Sequence, residues 1–124
     1  MILVTGATGQ LGSSVISQLN NVSSKDQFAI FARDEKKATK YKEQGIEVRI
    51  GDFNQISTLG HAFEGITKLL LISTMEFNRF EQHKNVIDAA KMAGVKHIIY
   101  TGLAIQNIET SNVKDLMQSH FDTE

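Results

Sequence analysis

The sequence predicts a doubly wound α/β domain: a parallel sheet of five strands in the order 3-2-1-4-5, with helices on both faces in a three-layer α/β/α arrangement. Three observations predict it. Short runs of apolar and branched residues recur along the chain at Ile2 to Val4, Phe28 to Ala32, Ile46 to Ile50, Lys68 to Ser73 and His97 to Thr101, each with the length and continuity of a buried parallel strand. Segments with helical periodicity separate these runs, so strand and helix alternate and right-handed crossovers put helices on both faces. The first run also feeds directly into Thr5-Gly6-Ala7-Thr8-Gly9-Gln10-Leu11-Gly12, which reads as strand, glycine turn and helix.

In that opening, Gly6 permits the tight exit from the strand, Gly9 lets a pyrophosphate approach the backbone and Gly12 lets the first helix pack closely. Free amides at the helix N-terminus, with its partial positive charge, would hold phosphates. Thr8, Gln10 and Leu11 share this turn and join the glycines as candidate cofactor-binding residues. The pattern is that of a Rossmann-like nucleotide fold.

The first helix carries Val15, Ile16 and Leu19 as its apolar stripe and ends in Asn20-Asn21-Val22-Ser23-Ser24. After the second strand, Asp34 is the expected N-cap of a lysine-rich helix that stops at Gly45. A short helix after the third strand places Ile56, Leu59, Ala62 and Phe63 on one face, with Gly65 beyond it. The fourth strand is apolar on both faces and therefore central. A long helix from about Phe77 to Ala93 turns Phe80, Val86, Ile87 and Ala90 inward and stops at Gly94. A last helix repeats Val113, Leu116, Met117, His120 and Phe121 at helical spacing.

Composition limits the possible roles. The 124 residues are 41% hydrophobic with a formal net charge of −1 and mixed charges, which suits one domain with a real core and lacks the basic stripe of a nucleic-acid binder. There is no cysteine, which excludes disulfides and thiolate chemistry and fits a reducing compartment; the expected location is cytoplasmic. With Met1 opening the first strand, no signal peptide is expected, and no apolar run is long enough to span a bilayer. His61, His83, His97 and His120 lack ligand spacing, so no metal is assigned.

In a 3-2-1-4-5 sheet the switch point lies between strands one and four, so Gly6 to Leu11, Arg33, Asp52, Ser73-Thr74 and Thr101-Gly102 are expected around one cleft. Arg33 stands at the end of the second strand, where an acidic residue would bind a ribose 2′-hydroxyl; an arginine there favours a 2′-phosphate. Asp52 can accept from an adenine amino group or act as a turn or capping residue before the Ile56 helix, and its neighbour Phe53 joins the candidate cofactor set.

The glycine turn, the strand Lys68 to Ser73, the run Gln82-His83-Lys84-Asn85-Val86-Ile87-Asp88-Ala89-Ala90-Lys91 with Ala93-Gly94-Val95, and Tyr100-Thr101 together resemble the NmrA-like atypical short-chain dehydrogenase/reductase family, in particular its type 2 NADPH:quinone oxidoreductase branch. The resemblance runs almost end to end. It implies an NADP(H) cofactor and, in the enzymes, hydride transfer to a small-molecule quinone, with a non-catalytic NADP-binding redox sensor or regulator as the alternative. Where classical members of the wider superfamily carry Tyr-x-x-x-Lys, this chain has His120-x-x-x-Glu124, leaving those two as the catalytic candidates. Gly102 stands where the family tends to carry serine, although Thr101 remains. Family members continue for about as many residues again, so residues 1–124 are expected to be a cofactor-binding domain too short for activity alone, with possible homodimerisation or association through an exposed sheet edge.

Overall fold

The branched and apolar runs become parallel strands, and the central ones are buried between helices that the intervening segments form. In the computed structural model, which describes residues 1–73 and 78–101, β1 (Ile2–Val4), β2 (Phe28–Ala32), β3 (Glu47–Ile50), β4 (Lys68–Leu71) and β5 (His97–Tyr100) form one sheet in the order β3-β2-β1-β4-β5. Between them run α1 (Gln10–Val22), α2 (Glu35–Glu43), α3 (Ile56–Ala62) and α4 (Arg79–Met92). In the central strands, Leu3 lies opposite Ala29 of β2 and Leu69 of β4.

Strand alternation sorts the core into two halves. Leu3, Ala29, Phe31, Leu69 and Leu71 face Leu59 and Phe63 in the α3 region and Val86 and Ala90 of α4. Val4, Phe28, Ile30 and Ala32 face the other way, toward Ile16 of α1 and Ala38 and Tyr41 of α2. Val15 and Leu19 pack against this second half, as the α1 stripe predicts. At the sheet margin, β5 exposes Ile98 and Ile99. No helix among the described residues is long and apolar enough to cross a membrane.

Thr5, fully buried just beyond β1, ties that strand to β4. Its hydroxyl donates to the Leu70 carbonyl at 3.2 Å and accepts from the Ile72 amide at 2.9 Å, so the two strands stay paired up to the point where the crevice opens. Gly6 follows with φ +63°, a left-handed turn that a side chain would disfavour. A Cβ at Gly12 would lie 1.9 Å from the Gly6 carbonyl oxygen and 2.7 Å from the Ala7 Cα. The close approach that requires glycine there is therefore between α1 and the turn itself.

Asp34 caps α2 as expected, its carboxylate accepting from the Lys36 amide at 2.9 Å. The end of α2 is a Schellman pair, with the Gly45 amide donating to Lys42 and that of Ile46 to Tyr41. That closure explains why β3 begins at Glu47: Ile46 is part of the helix exit and buries its side chain in the core. β4 ends at Leu71 and β5 at Tyr100, each short of the predicted end.

Two inward assignments are corrected. Ile56, at the first position of α3, is 48% exposed, whereas Leu59, Ala62 and Phe63 are buried. On α4 the stripe begins at Arg79 and continues through Gln82, His83, Val86 and Ala90, an i, i+3, i+4, i+7 series. Phe80, one residue out of that phase, is 39% exposed.

Gly12→Ala is expected to lower the unfolding free energy by about 3 kcal/mol or more, because its Cβ meets backbone that has little room to shift. Gly9→Ala should cost about 1 kcal/mol or less, since the Cβ there meets only the Gly6 oxygen, at 3.4 Å. Urea unfolding of the two variants checks the contrast. Thr5→Val keeps the shape but strands the partly buried Ile72 amide, so a loss of roughly 1–3 kcal/mol is expected; thermal melting should show it, with Thr5→Ser recovering most of the loss.

Candidate functional site

Beyond Thr5 and Ile72 the chains leaving β1 and β4 diverge, because each strand's crossover helix lies on the opposite face of the sheet. The resulting cleft of about 260 Å³ is bordered by six residues anticipated from sequence: Gly6, Thr8, Arg33, Asp52, Phe53 and Ser73. Thr101 stands behind Ser73 and accepts its backbone N–H through Oγ1 at 2.9 Å. Gly9, Gln10 and Leu11 are exposed on the turn and first turn of α1, with Gly12 buried beside them. Thr74, Gly102, His120 and Glu124 lie outside the described residues.

The N-terminus of α1 is left open. Gly9 is its N-cap, no side chain caps it, and no acidic residue occupies its first turn. The helix therefore begins with donors unsatisfied by intrahelical acceptors and a partial positive charge that no carboxylate on its first turn offsets. Behind the turn, the phenol of Tyr41 on α2, 4% exposed, donates to the Ala7 carbonyl at 2.7 Å. Sequence reading missed Tyr41, although its spacing from Ala38 marks the inward face of an otherwise lysine-rich helix.

Arg33 is exposed on the rim, one residue past β2. The adjacent Asp34 carboxylate is engaged in capping α2, so the rim cation belongs to a segment whose backbone is fixed. At the end of β3, Asp52 donates its amide to Thr58 Oγ1 at 2.9 Å and accepts the Asn54 amide on Oδ1 at 2.9 Å. The N-cap of α3 is Gln55, so Asp52 is a turn residue and not the helix cap. Its neighbour Phe53 stacks on Phe31 with centroids 4.9 Å apart and planes 16° apart. Gly51 makes room for that pair: a Cβ there would sit 2.7 Å from Phe31 Cε2.

Phe31, Ala32, Ile72 and Gln82 also border the cleft and were not singled out from sequence. Three of them are strand or strand-end residues whose apolar character looked purely structural. Gln82 belongs to the polar first turn of the α4 stripe with Arg79 and His83, all at most 4% exposed; His83 packs edge-on against Tyr100 at 5.4 Å. The signal available was the i, i+3, i+4 spacing of these residues toward Val86. No group of three or more His, Asp or Glu side chains that could hold a metal occurs among the described residues.

The whole chain, residues 1–124, matches the model of the NmrA-like family. It is 45% identical to quinone oxidoreductase 2 of Escherichia coli K12, an alignment covering 100% of this chain and 43% of that protein. Among solved structures, the Citrobacter sp. triphenylmethane reductase complexed with NADP(H) matches with a TM-score of 0.91 and 44% identity over 99% of this chain and 43% of that one. The E. coli NADPH-dependent quinone oxidoreductase complexed with NADPH gives 0.89 and 44% over the same shares, 99% and 43%. The chain thus spans less than half the length of these relatives. With its parallel 3-2-1-4-5 sheet and a family match along its entire length, the chain belongs to the NmrA-like family.

Proposed function

We propose that this chain is the NADP(H)-binding domain of a reductase that, in its full-length form, transfers hydride to a quinone. The observation that carries the reading is the meeting, on one cleft, of the glycine turn that leads into an uncapped helix N-terminus with an arginine just past the end of the neighbouring strand. The two solved relatives described as NADP(H) or NADPH complexes support it.

The chain's residues fit such a cofactor. The first-turn amides of α1, at Gln10, Leu11 and Gly12, are donors for the pyrophosphate, and the bare backbone at Gly9 lets it come close. Arg33 pairs with the 2′-phosphate through a charge-assisted fork. Asp52 accepts from the adenine amino group, and the Phe31–Phe53 pair gives the cleft an apolar wall beside it. Ser73, which borders the cleft, and Thr101, which holds the Ser73 amide, lie on the side of β4 away from the turn, toward the other end of the dinucleotide. The bound nicotinamide supplies the hydride. Reduction of a quinone yields an aromatic hydroquinone whose protons solvent can deliver, so holding the two partners together is the protein's main task, and no proton donor of the Tyr-x-x-x-Lys type is needed.

Calorimetric titration with NADPH, NADP, NADH and NAD tests the reading. Binding should favour the phosphorylated pair, and Arg33→Ala should remove roughly tenfold or more of that preference, the value of a charge-assisted contact of about 1.5–3 kcal/mol. Equal affinity for the two cofactor types in the unmodified chain would refute the role of Arg33. Gly9→Val is expected to abolish dinucleotide binding while circular dichroism stays near that of the parent, because the added bulk enters the space over the turn and not the core. Wild-type affinity in that variant would place the phosphates elsewhere.

A further inference from the structure

We infer that Tyr41 is a positioning residue for the phosphate-binding turn: its buried hydroxyl, on the Ala7 carbonyl at 2.7 Å, holds the Ala7–Thr8 peptide so that the Thr8 amide faces the cleft. The inference rests on the dinucleotide reading above and extends it to a residue outside the cleft.

A trans peptide unit is planar, with its C=O and N–H pointing in opposite directions. The Ala7 carbonyl is drawn toward α2 and into the core, where Ala7 is 1% and Tyr41 4% exposed. The N–H of the same unit, which belongs to Thr8, is thereby directed away from the core. Thr8 is exposed and borders the cleft.

This peptide needs an anchor. It lies between Gly6, already in a left-handed conformation, and Gly9, and glycines so placed make a rotation of the intervening peptide units easy. Such a rotation would present a carbonyl oxygen to an anionic ligand in place of a donor. The Tyr41 hydroxyl opposes it from a rigid site: the ring is packed in the same core half as Ala7, Ala38 and Ile46. Residues 33–41 thus carry two contributions to one ligand, Arg33 acting on it directly and Tyr41 through the turn.

Tyr41→Phe removes the oxygen and keeps the ring. Calorimetry with NADPH and with adenosine 2′-monophosphate, which has the 2′-phosphate but no pyrophosphate, separates the roles. The expected result is NADPH affinity lowered about tenfold with adenosine 2′-monophosphate affinity changed less than about twofold. Unchanged NADPH affinity overturns the proposal, and so does an equal loss for both ligands, which would make the hydroxyl a general support of the fold. The unmodified chain supplies a second measurement that does not depend on the variant folding: NADPH should shift the Thr8 amide resonance strongly, and an unmoved Thr8 amide overturns the proposal even if NADPH binds. If the unmodified chain binds neither ligand, the dinucleotide reading itself fails and this inference falls with it.

Discussion

The contact of Gly12 with the backbone of Gly6 and Ala7 is the constraint from which the cleft follows. A backbone approach that leaves no room for a methyl group fixes the start of α1 directly on the turn that leaves β1. The helix can then begin only as it does, with Gly9 as its cap and its open amides beside the crevice. Thr5 performs the complementary task on the strand side, holding β1 to β4 until the two chains must part. Between these points it is the Tyr41 hydroxyl, on the Ala7 carbonyl, that holds the turn's peptides.

The loop after β3, which carries Asp52 and Phe53, is held by a different kind of contact. Carboxamides join it to the N-terminal half of α4: Asn85 Nδ2 donates to the Phe53 carbonyl at 2.9 Å, Asn78 Nδ2 to Asn54 Oδ1 at 2.6 Å and Gln82 Nε2 to the same oxygen at 3.4 Å. Apolar packing would bury such a loop just as well but without fixing its direction, because it is not directional. Hydrogen bonds specify where each backbone group points, and the neutral amides do so without adding charge near the rim arginine.

Much of the fold was legible because its signals are local. A glycine turn between a branched run and an amphipathic segment, strands of three to five residues and a capping Asp34 all depend on neighbours in sequence, and these appear where expected. On α4 the expected Val86, Ile87 and Ala90 do pack inward, and only Phe80 does not, because the first turn of the inward face is a polar stripe whose burial depends on tertiary partners; Arg79, Gln82 and His83 all have such partners. Thr5 and Tyr41 escaped notice for a related reason. Their hydroxyls act on Leu70 and on Ala7, contacts 65 and 34 residues away along the chain, and nothing in the local pattern distinguishes an anchoring hydroxyl from an ordinary core residue.

The ring of Phe31 under Gly51 ties the identity of one residue to that of another across two adjacent strands. Any side chain at position 51 must first displace that ring, and displacing it removes the platform on which Phe53 lies as well as the edge contact with Phe63 at 6.1 Å. Positions 31 and 51 therefore cannot drift independently over evolutionary time. A descendant of this chain could acquire alanine at 51 only after, or together with, a smaller residue at 31, and the price would be a remodelled wall in the cleft.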